Sequence, residues 1–308
     1  MPGQPKRILI LGHGAMGQAL EALLSPRHDI AVWDRDLGTG VETEPLEDAA
    51  RSREVVVFAM PAKPHDELAG RLAGCLEPGA ICLSIAKGLD ERGRTPAQVF
   101  DHAFGTRNGW ALLYGPMLAR ELHAGRAGFA MVASTRPGVG ARIKALFEGS
   151  NLHLDLLDDV YGAAWAAILK NVYVPLIGAA DGLGLGDNMR GFLLAEATHE
   201  LARIVEHMGG RRETAYTLAG LGDLVTSATG ASSHHRHIGA ELAAGRTSGL
   251  AASGANIRSE GVHTASVVRQ HAVFAWERFE LFALVSAFLH DPDQLEQRLG
   301  DYIARRFG

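Results

Sequence analysis

The sequence predicts an α/β protein in two parts: a doubly wound sheet of strands alternating with helices, then an all-α second half. Three observations predict it. Short apolar runs recur through the first half with helical patterns between them. These strand signals largely stop near residue 157. The first run, Ile8-Leu9-Ile10-Leu11, leads straight into Gly12-His13-Gly14-Ala15-Met16-Gly17, a G-x-G-x-x-G turn from strand to helix. The expected domains are residues 1–157, a dinucleotide-binding domain of Rossmann type, and residues 158–308, a helical substrate domain.

In such a turn the first glycine permits the tight bend and the second lets the backbone approach a pyrophosphate. The third lets helix and strand pack closely. Free amides and the positive end of the helix dipole then face the phosphates. Gly12, Gly14, Ala15, Met16 and Gly17 are therefore the expected cofactor-binding stretch, with a helix from Ala15 to Leu24. The next strand, Ile30 to Trp33, ends at Asp34, where a carboxylate can accept hydrogen bonds from the adenosine ribose. That favours NAD, because a carboxylate repels the 2′-phosphate of NADP. Arg35 beside it offers NADP as the alternative, since a guanidinium can pair with that phosphate.

Val55 to Met60 is a buried strand stopped by Pro61, followed by a helix over Lys63 to Leu76. Ala80 to Ile85 is the fourth strand. Lys87 lies just beyond its carboxyl end, where ligands sit in open parallel sheets; a strand-capping lysine is the bland alternative. Trp110 to Tyr114 and Gly128 to Ser134 are further strands, Pro137 to Glu148 a helix and Leu152 to Leu156 the last strand. Asp158 or Asp159 caps a long helix starting near Val160.

At 308 residues, 47% hydrophobic and 21% charged, the chain has the size and composition of a two-domain globular protein. A net charge of −5 gives no electrostatic reason to expect a nucleic acid partner. Two cysteines, Cys75 and Cys82, without a C-x-x-C spacing, argue against a disulfide framework or thiolate metal site and fit a reducing cytosol. The N-terminus carries no recognisable signal peptide, and the expected location is cytoplasmic. The apolar stretch Phe274 to Leu289 is too short and too charged to span a membrane and reads as a core helix. The Ala/Gly/Ser-rich segment Ala243 to Gly254 reads as a flexible loop.

In the second half, Lys170 and Asn171 sit inside an apolar helix, where a lysine needs a partner or a task, unless it snorkels to the surface. Asp181-Gly182-Leu183-Gly184 ends that helix, and Asp223 is flanked by Gly220-Leu221-Gly222. A lysine and an aspartate converging on one pocket suit carbonyl reduction. Hydride attack builds negative charge on oxygen, which an ammonium stabilises and protonates while a carboxylate orients it.

The chain resembles the NAD(P)-dependent glycerol-3-phosphate dehydrogenases of the bacterial soluble type over about residues 7–300. The shared pieces occur in family order: the glycine turn, Lys87-Gly88-Leu89, Gly115-Pro116 with Ala119 and Glu121, and Leu169-Lys170-Asn171-Val172. Asp181-Gly182-Leu183-Gly184 with Asn188, Gly220-Leu221-Gly222-Asp223-Leu224, and Glu260-Gly261 with Thr264 complete them. The resemblance implies hydride transfer between a nicotinamide cofactor and dihydroxyacetone phosphate, a small phosphorylated three-carbon substrate. It implies Lys170 as general acid/base, Asn171 as its neighbouring amide and Asp223 as the pocket carboxylate. Lys87 touches substrate and cofactor, Gly115 the substrate, and Ala119 and Glu260 the cofactor. It also implies a homodimer, and it calls for no metal.

Four departures fall on the substrate side. The family's Ser or Thr after Gly-Pro is Met117, and its Glu six residues before the lysine is Ala164. Its Ser-Arg-Asn-Arg segment reads Ser233-His234-His235-Arg236, so imidazoles replace the phosphate-binding arginine and the amide. In the family this segment binds the substrate phosphate and the cofactor, so Ser233, His234, His235 and Arg236 are the expected substrate-binding residues, with Arg236 as a compensating cation. Two rival readings follow: a related reductase acting on another small keto compound, and a non-catalytic NADH-binding sensor.

Overall fold

Arg7–Leu11 forms β1 because Ile8 to Leu11 are all fully buried, so each must be covered on either face of a central strand. The computed structural model describes residues 4–35, 44–246 and 259–308. Its seven strands are β1, β2 (Asp29–Trp33), β3 (Val55–Phe58), β4 (Ile81–Ser84), β5 (Gly109–Tyr114), β6 (Gly128–Ala133) and β7 (Leu152–Leu157). They lie in the order β2-β1-β3-β4-β5-β6-β7. The chain leaves β1 toward β2 and resumes on the other side at β3, so the topological switch point is between β1 and β3.

Every pairing is parallel except that of β5 with β6. The connection, residues 115–127, carries only the five-residue α5 (Ala119–His123) and is the shortest between successive strands. A parallel return usually takes a dozen or more residues with a full crossover helix, and this connection is at that lower limit.

Helices α1 (Ala15–Leu24), α3 (His65–Ala73) and α6 (Pro137–Leu146) stand where the pattern predicts them, α3 shorter at both ends. The short α2 (Leu46–Ala50) and α5, five residues each, are too brief to show a helical period, and α4 (Pro96–Phe104) is a further helix that the sequence reading omits. In α4 the start is nonetheless written plainly: Thr95 and Gln98 form a capping box, with Pro96 in the first turn.

α7 (Val160–Gly182) begins at Asp159, whose Oδ1 accepts the Gly162 amide at 2.9 Å. Among the described residues it alone has the length and apolarity of a membrane span, yet its apolar window is entirely buried inside the protein. After it come α8 (Gly186–His207), α9 (Asp223–Thr229), α10 (His234–Ala243), α11 (Glu260–His271), α12 (Glu280–His290) and α13 (Leu295–Phe307). The expected helix over Phe274 to Leu289 starts only at Glu280. Phe274 instead packs edge-on against Trp165, Phe279 and Phe282, and a 3-10 turn over Trp276–Arg278 intervenes. Residues 247–254 of the predicted flexible loop lie outside the described residues.

Contacts divide the chain into two compact units. One runs through Ala164 except for Glu91–Gly93; the other comprises those three residues and Trp165–Gly308. The first unit's core lies under the sheet, where Ile8, Ile10, Val55, Val57, Leu83 and Leu113 pack with α1 and α6.

Candidate active site

In the first unit the glycine turn sits at the switch point, beyond the carboxyl end of β1. Gly12 has φ +92°, and a Cβ there would lie 2.8 Å from the Ala59 carbonyl oxygen; at Gly17 it would lie 2.0 Å from that of Gly12. Both positions demand glycine for the protein's own packing. Gly14 is different, because a Cβ there would meet no protein atom within 4 Å. Its bareness serves no contact of the protein itself, as expected of a backbone that a pyrophosphate approaches. Ala15 and Met16 open α1, so their amides belong to its N-terminal turn.

Asp34 follows β2, and its Oδ2 accepts the His13 amide at 2.7 Å, which fixes the carboxylate against the turn. Arg35 pairs instead with Glu67 at 2.7 Å on the surface. Lys87 follows β4, and its Nζ donates to the Gly115 carbonyl at 3.4 Å. Gly115 follows β5 and can only be glycine, since a Cβ would lie 2.4 Å from the Phe129 carbonyl oxygen. Met117 is buried in the first unit's core, and Ala119, the first residue of α5, packs partly buried against it. Ala164 is wholly buried in α7.

In the second unit Lys170 is 5% exposed and Asp223 2%. The Lys170 Nζ lies 3.3 Å from Asp223 Oδ2 and donates to Ser227 Oγ at 2.9 Å. Ser227 donates to Asp223 Oδ1 at 3.5 Å, closing the cluster. Sequence reading missed Ser227, although Asp223 and Ser227 share one face of α9 four residues apart. Asn171 is buried next to Lys170. Pro175 has no N–H to give to the Asn171 carbonyl four residues back, and Gly261 packs against that carbonyl, where a Cβ would lie 2.0 Å away. This contact seats the first turn of α11, and with it Glu260, beside Asn171.

α10 is docked on α7 by glycines: a Cβ at Gly178 would lie 2.0 Å from the Arg236 carbonyl oxygen, and one at Gly239 1.8 Å from that of Pro175. Ser233 is the N-cap of α10, accepting the Arg236 amide at 3.3 Å. Arg236 does not reach toward Lys170. Its Nε donates to Asp181 Oδ2 at 2.7 Å, while Arg190 binds the other oxygen. Asp181 is eleven residues along α7 from Lys170, ~16 Å by helix rise. The Asp181 carboxylate thus carries two guanidiniums, those of Arg236 and Arg190. His234 and His235 occupy the first turn of α10. Partial burial, with His237 alongside, holds the His234 imidazole below its ordinary pKa.

A family model described as NAD-dependent glycerol-3-phosphate dehydrogenase N-terminus matches residues 37–139, and its C-terminal counterpart matches residues 159–299. A glycerol-3-phosphate dehydrogenase (NAD(P)+) of Mycobacterium avium is 30% identical over 98% of this chain and 95% of its own length. This chain belongs to the NAD-dependent glycerol-3-phosphate dehydrogenase family. A second family member, from Thioalkalivibrio sulfidiphilus, is 31% identical over 84% of this chain and 85% of its own. The crystal structure of glycerol-3-phosphate dehydrogenase from Coxiella burnetii superposes with a TM-score of 0.85 at 24% identity, covering 97% of this chain and 99% of that one. Family membership makes this chain an NAD(P)-dependent oxidoreductase acting on a CH–OH group, and the bare Gly14, the fixed Asp34 and the first turn of α1 fit a nicotinamide dinucleotide.

Proposed function

We propose that this chain interconverts dihydroxyacetone phosphate and sn-glycerol 3-phosphate, supplying the backbone of glycerophospholipids. The observation that carries the reading is the buried Lys170–Asp223–Ser227 cluster. The cofactor supplies the hydride when bound. Lys170 gives its proton to the C2 oxygen on which negative charge builds, and takes it back in the reverse direction. Asp223 offsets the cost of burying an ammonium, and with Ser227 it fixes the direction of the Nζ. Asn171 holds the substrate's polar edge, and Lys87 and Gly115 are the further substrate contacts that the family resemblance implies. Ala119 and Glu260 contact the cofactor. Asp34 selects NAD over NADP, and the enzyme acts as a cytosolic homodimer.

Steady-state assays with dihydroxyacetone phosphate and NADH test the reading. Turnover is expected, and Lys170→Ala should lower kcat by about 10²–10⁴-fold. Turnover that survives Lys170→Ala would remove the lysine from the chemistry, and a wild-type chain that binds NADH but reduces no small carbonyl would be a sensor.

The imidazole of His234 at the family's arginine position favours a second reading, a reductase of another keto compound. An imidazole cannot reproduce a bidentate guanidinium on a dianion. Under that reading dihydroxyacetone is reduced as well as its phosphate, whereas His234→Arg lowers KM for the phosphate at least tenfold.

A further inference from the structure

Three buried side chains at the carboxyl ends of β3, β4 and β5 form a chain that neither the glycine turn nor the lysine cluster uses. His65, the first residue of α3, has no exposed surface and packs against Phe58 and Phe100, with ring centroids 5.0 and 5.7 Å away. Its Nδ1 is 3.2 Å from the Pro61 carbonyl oxygen and its Nε2 2.8 Å from Ser84 Oγ. A carbonyl can only accept, so Nδ1 carries the proton and Nε2 accepts from the Ser84 hydroxyl. Ser84 Oγ in turn accepts the Ala86 amide at 3.1 Å. The Ala86 carbonyl accepts the Tyr114 hydroxyl at 2.7 Å.

Both polar groups of Ala86 are thus held by side chains that are themselves wholly buried. The Ala86 carbonyl shares a peptide plane with the nitrogen of Lys87, so the Tyr114 bond sets the plane from which the lysine departs. Lys87 then closes the circuit through the carbonyl of Gly115, the residue after Tyr114. Packing does not call for this arrangement. Phenylalanine at 65 would fill the aromatic slot, and burying an imidazole and two hydroxyls is costly unless they bond one another.

We propose that His65, Ser84 and Tyr114 are positioning residues that tie the loops after β3, β4 and β5 together and aim Lys87. The proposal rests on the reading of Lys87 as a ligand-facing lysine. Ser84→Ala and Tyr114→Phe each remove one bond to Ala86 with little change in volume. Each is expected to lower kcat/KM for dihydroxyacetone phosphate about tenfold, as small misplacements of a reacting group do. Each variant also loses a buried bond, so the melting temperature should fall by a few degrees, and the Lys87→Ala background separates that loss from the aiming of Lys87. In a Lys87→Ala background the same two changes should cost less than about twofold, because coupled residues act through the shared partner. Amide hydrogen exchange at Ala86 and Lys87 should speed up at least tenfold in both variants.

Unchanged exchange in both variants overturns the relay, whatever the substrate is. Losses that persist in full in the Lys87→Ala background overturn it too, because they would mark a general packing role. A wild-type protein inactive on dihydroxyacetone phosphate overturns the substrate reading alone, and the exchange measurement still decides the relay.

Discussion

The three glycines of the turn after β1 are glycine for different reasons, and substitution separates them. Gly17→Ala forces a Cβ to within 2.0 Å of the Gly12 carbonyl oxygen and should cost ~1–3 kcal/mol or more of stability. Gly14→Val has open space and an ordinary extended backbone, φ −69° and ψ −175°, so the ligand-free melting temperature should hold. NADH binding, followed by the quenching of protein fluorescence, should be lost. A Gly14→Val protein that still binds NADH normally would take this residue out of the cofactor site.

His65 carries a second prediction at this scale. Burial holds its imidazole down at about 4, against 6.5 in the unfolded chain. Above pH ~6.5 both states are neutral and its contribution is complete. As pH falls from 6.5 toward 4 the unfolded chain takes up a proton that the folded chain refuses, so stability drops by roughly 3 kcal/mol. Urea unfolding across that range should show His65→Gln with a shallower acid slope than wild type. Equal slopes would mean that the folded protein admits the proton.

Residue by residue, what could be read depended on how local the reason was. Lys170 stood out because a cation in an apolar helix needs a partner, and its partner is Asp223. The N-cap role of Ser233 and the ion pair of Arg236 with Asp181 carry no such signal in the sequence. Both roles depend on what lies opposite in space. Ser84 and His65 carry no local signal at all, and the only one at Ser227 is its spacing of four from Asp223.

At the scale of elements, α7 is the frame of the second unit. Its Lys170 meets α9, its Asn171 carbonyl meets α11, and its Gly178 and Pro175 meet α10. Gly239→Ala tests the last of these contacts. Its Cβ would fall 1.8 Å from the Pro175 carbonyl oxygen, so α10 must move away. Stability should fall by ~1–3 kcal/mol, and kcat/KM for dihydroxyacetone phosphate should fall with it, because the first turn of α10 carries His234 and His235. Unfolding midpoints and kinetics on the same preparation check both; loss of stability with intact kinetics would detach α10 from substrate binding. The sheet shows the other limit of sequence reading: strands β1 to β7 are legible as apolar runs, whereas the reversal of β6 goes with the shortest connection between successive strands.

For the whole molecule, the cofactor is the expected source of extra stability. NADH at one hundred times its Kd should add about 2.7 kcal/mol to unfolding, seen as a rise of several degrees in the melting temperature. The rise should vanish in Gly14→Val and persist in Lys170→Ala. The apolar length of α7, which resembles a membrane span in composition, is accounted for by burial inside the protein.

The sequence by itself determined the α/β first half, the helical second half, the glycine turn and a lysine in an apolar helix that needs a partner. Each of these is written in periodicity, in steric demands within a few residues, or in the cost of an unpartnered charge. Only the tertiary structure decided that Ser227 completes the lysine cluster, that Arg236 belongs to Asp181, and that a chain of buried hydrogen bonds surrounds Ala86. Those are bonds between groups up to 57 residues apart, as Lys170 and Ser227 are, and their partners are chosen by packing rather than by spacing.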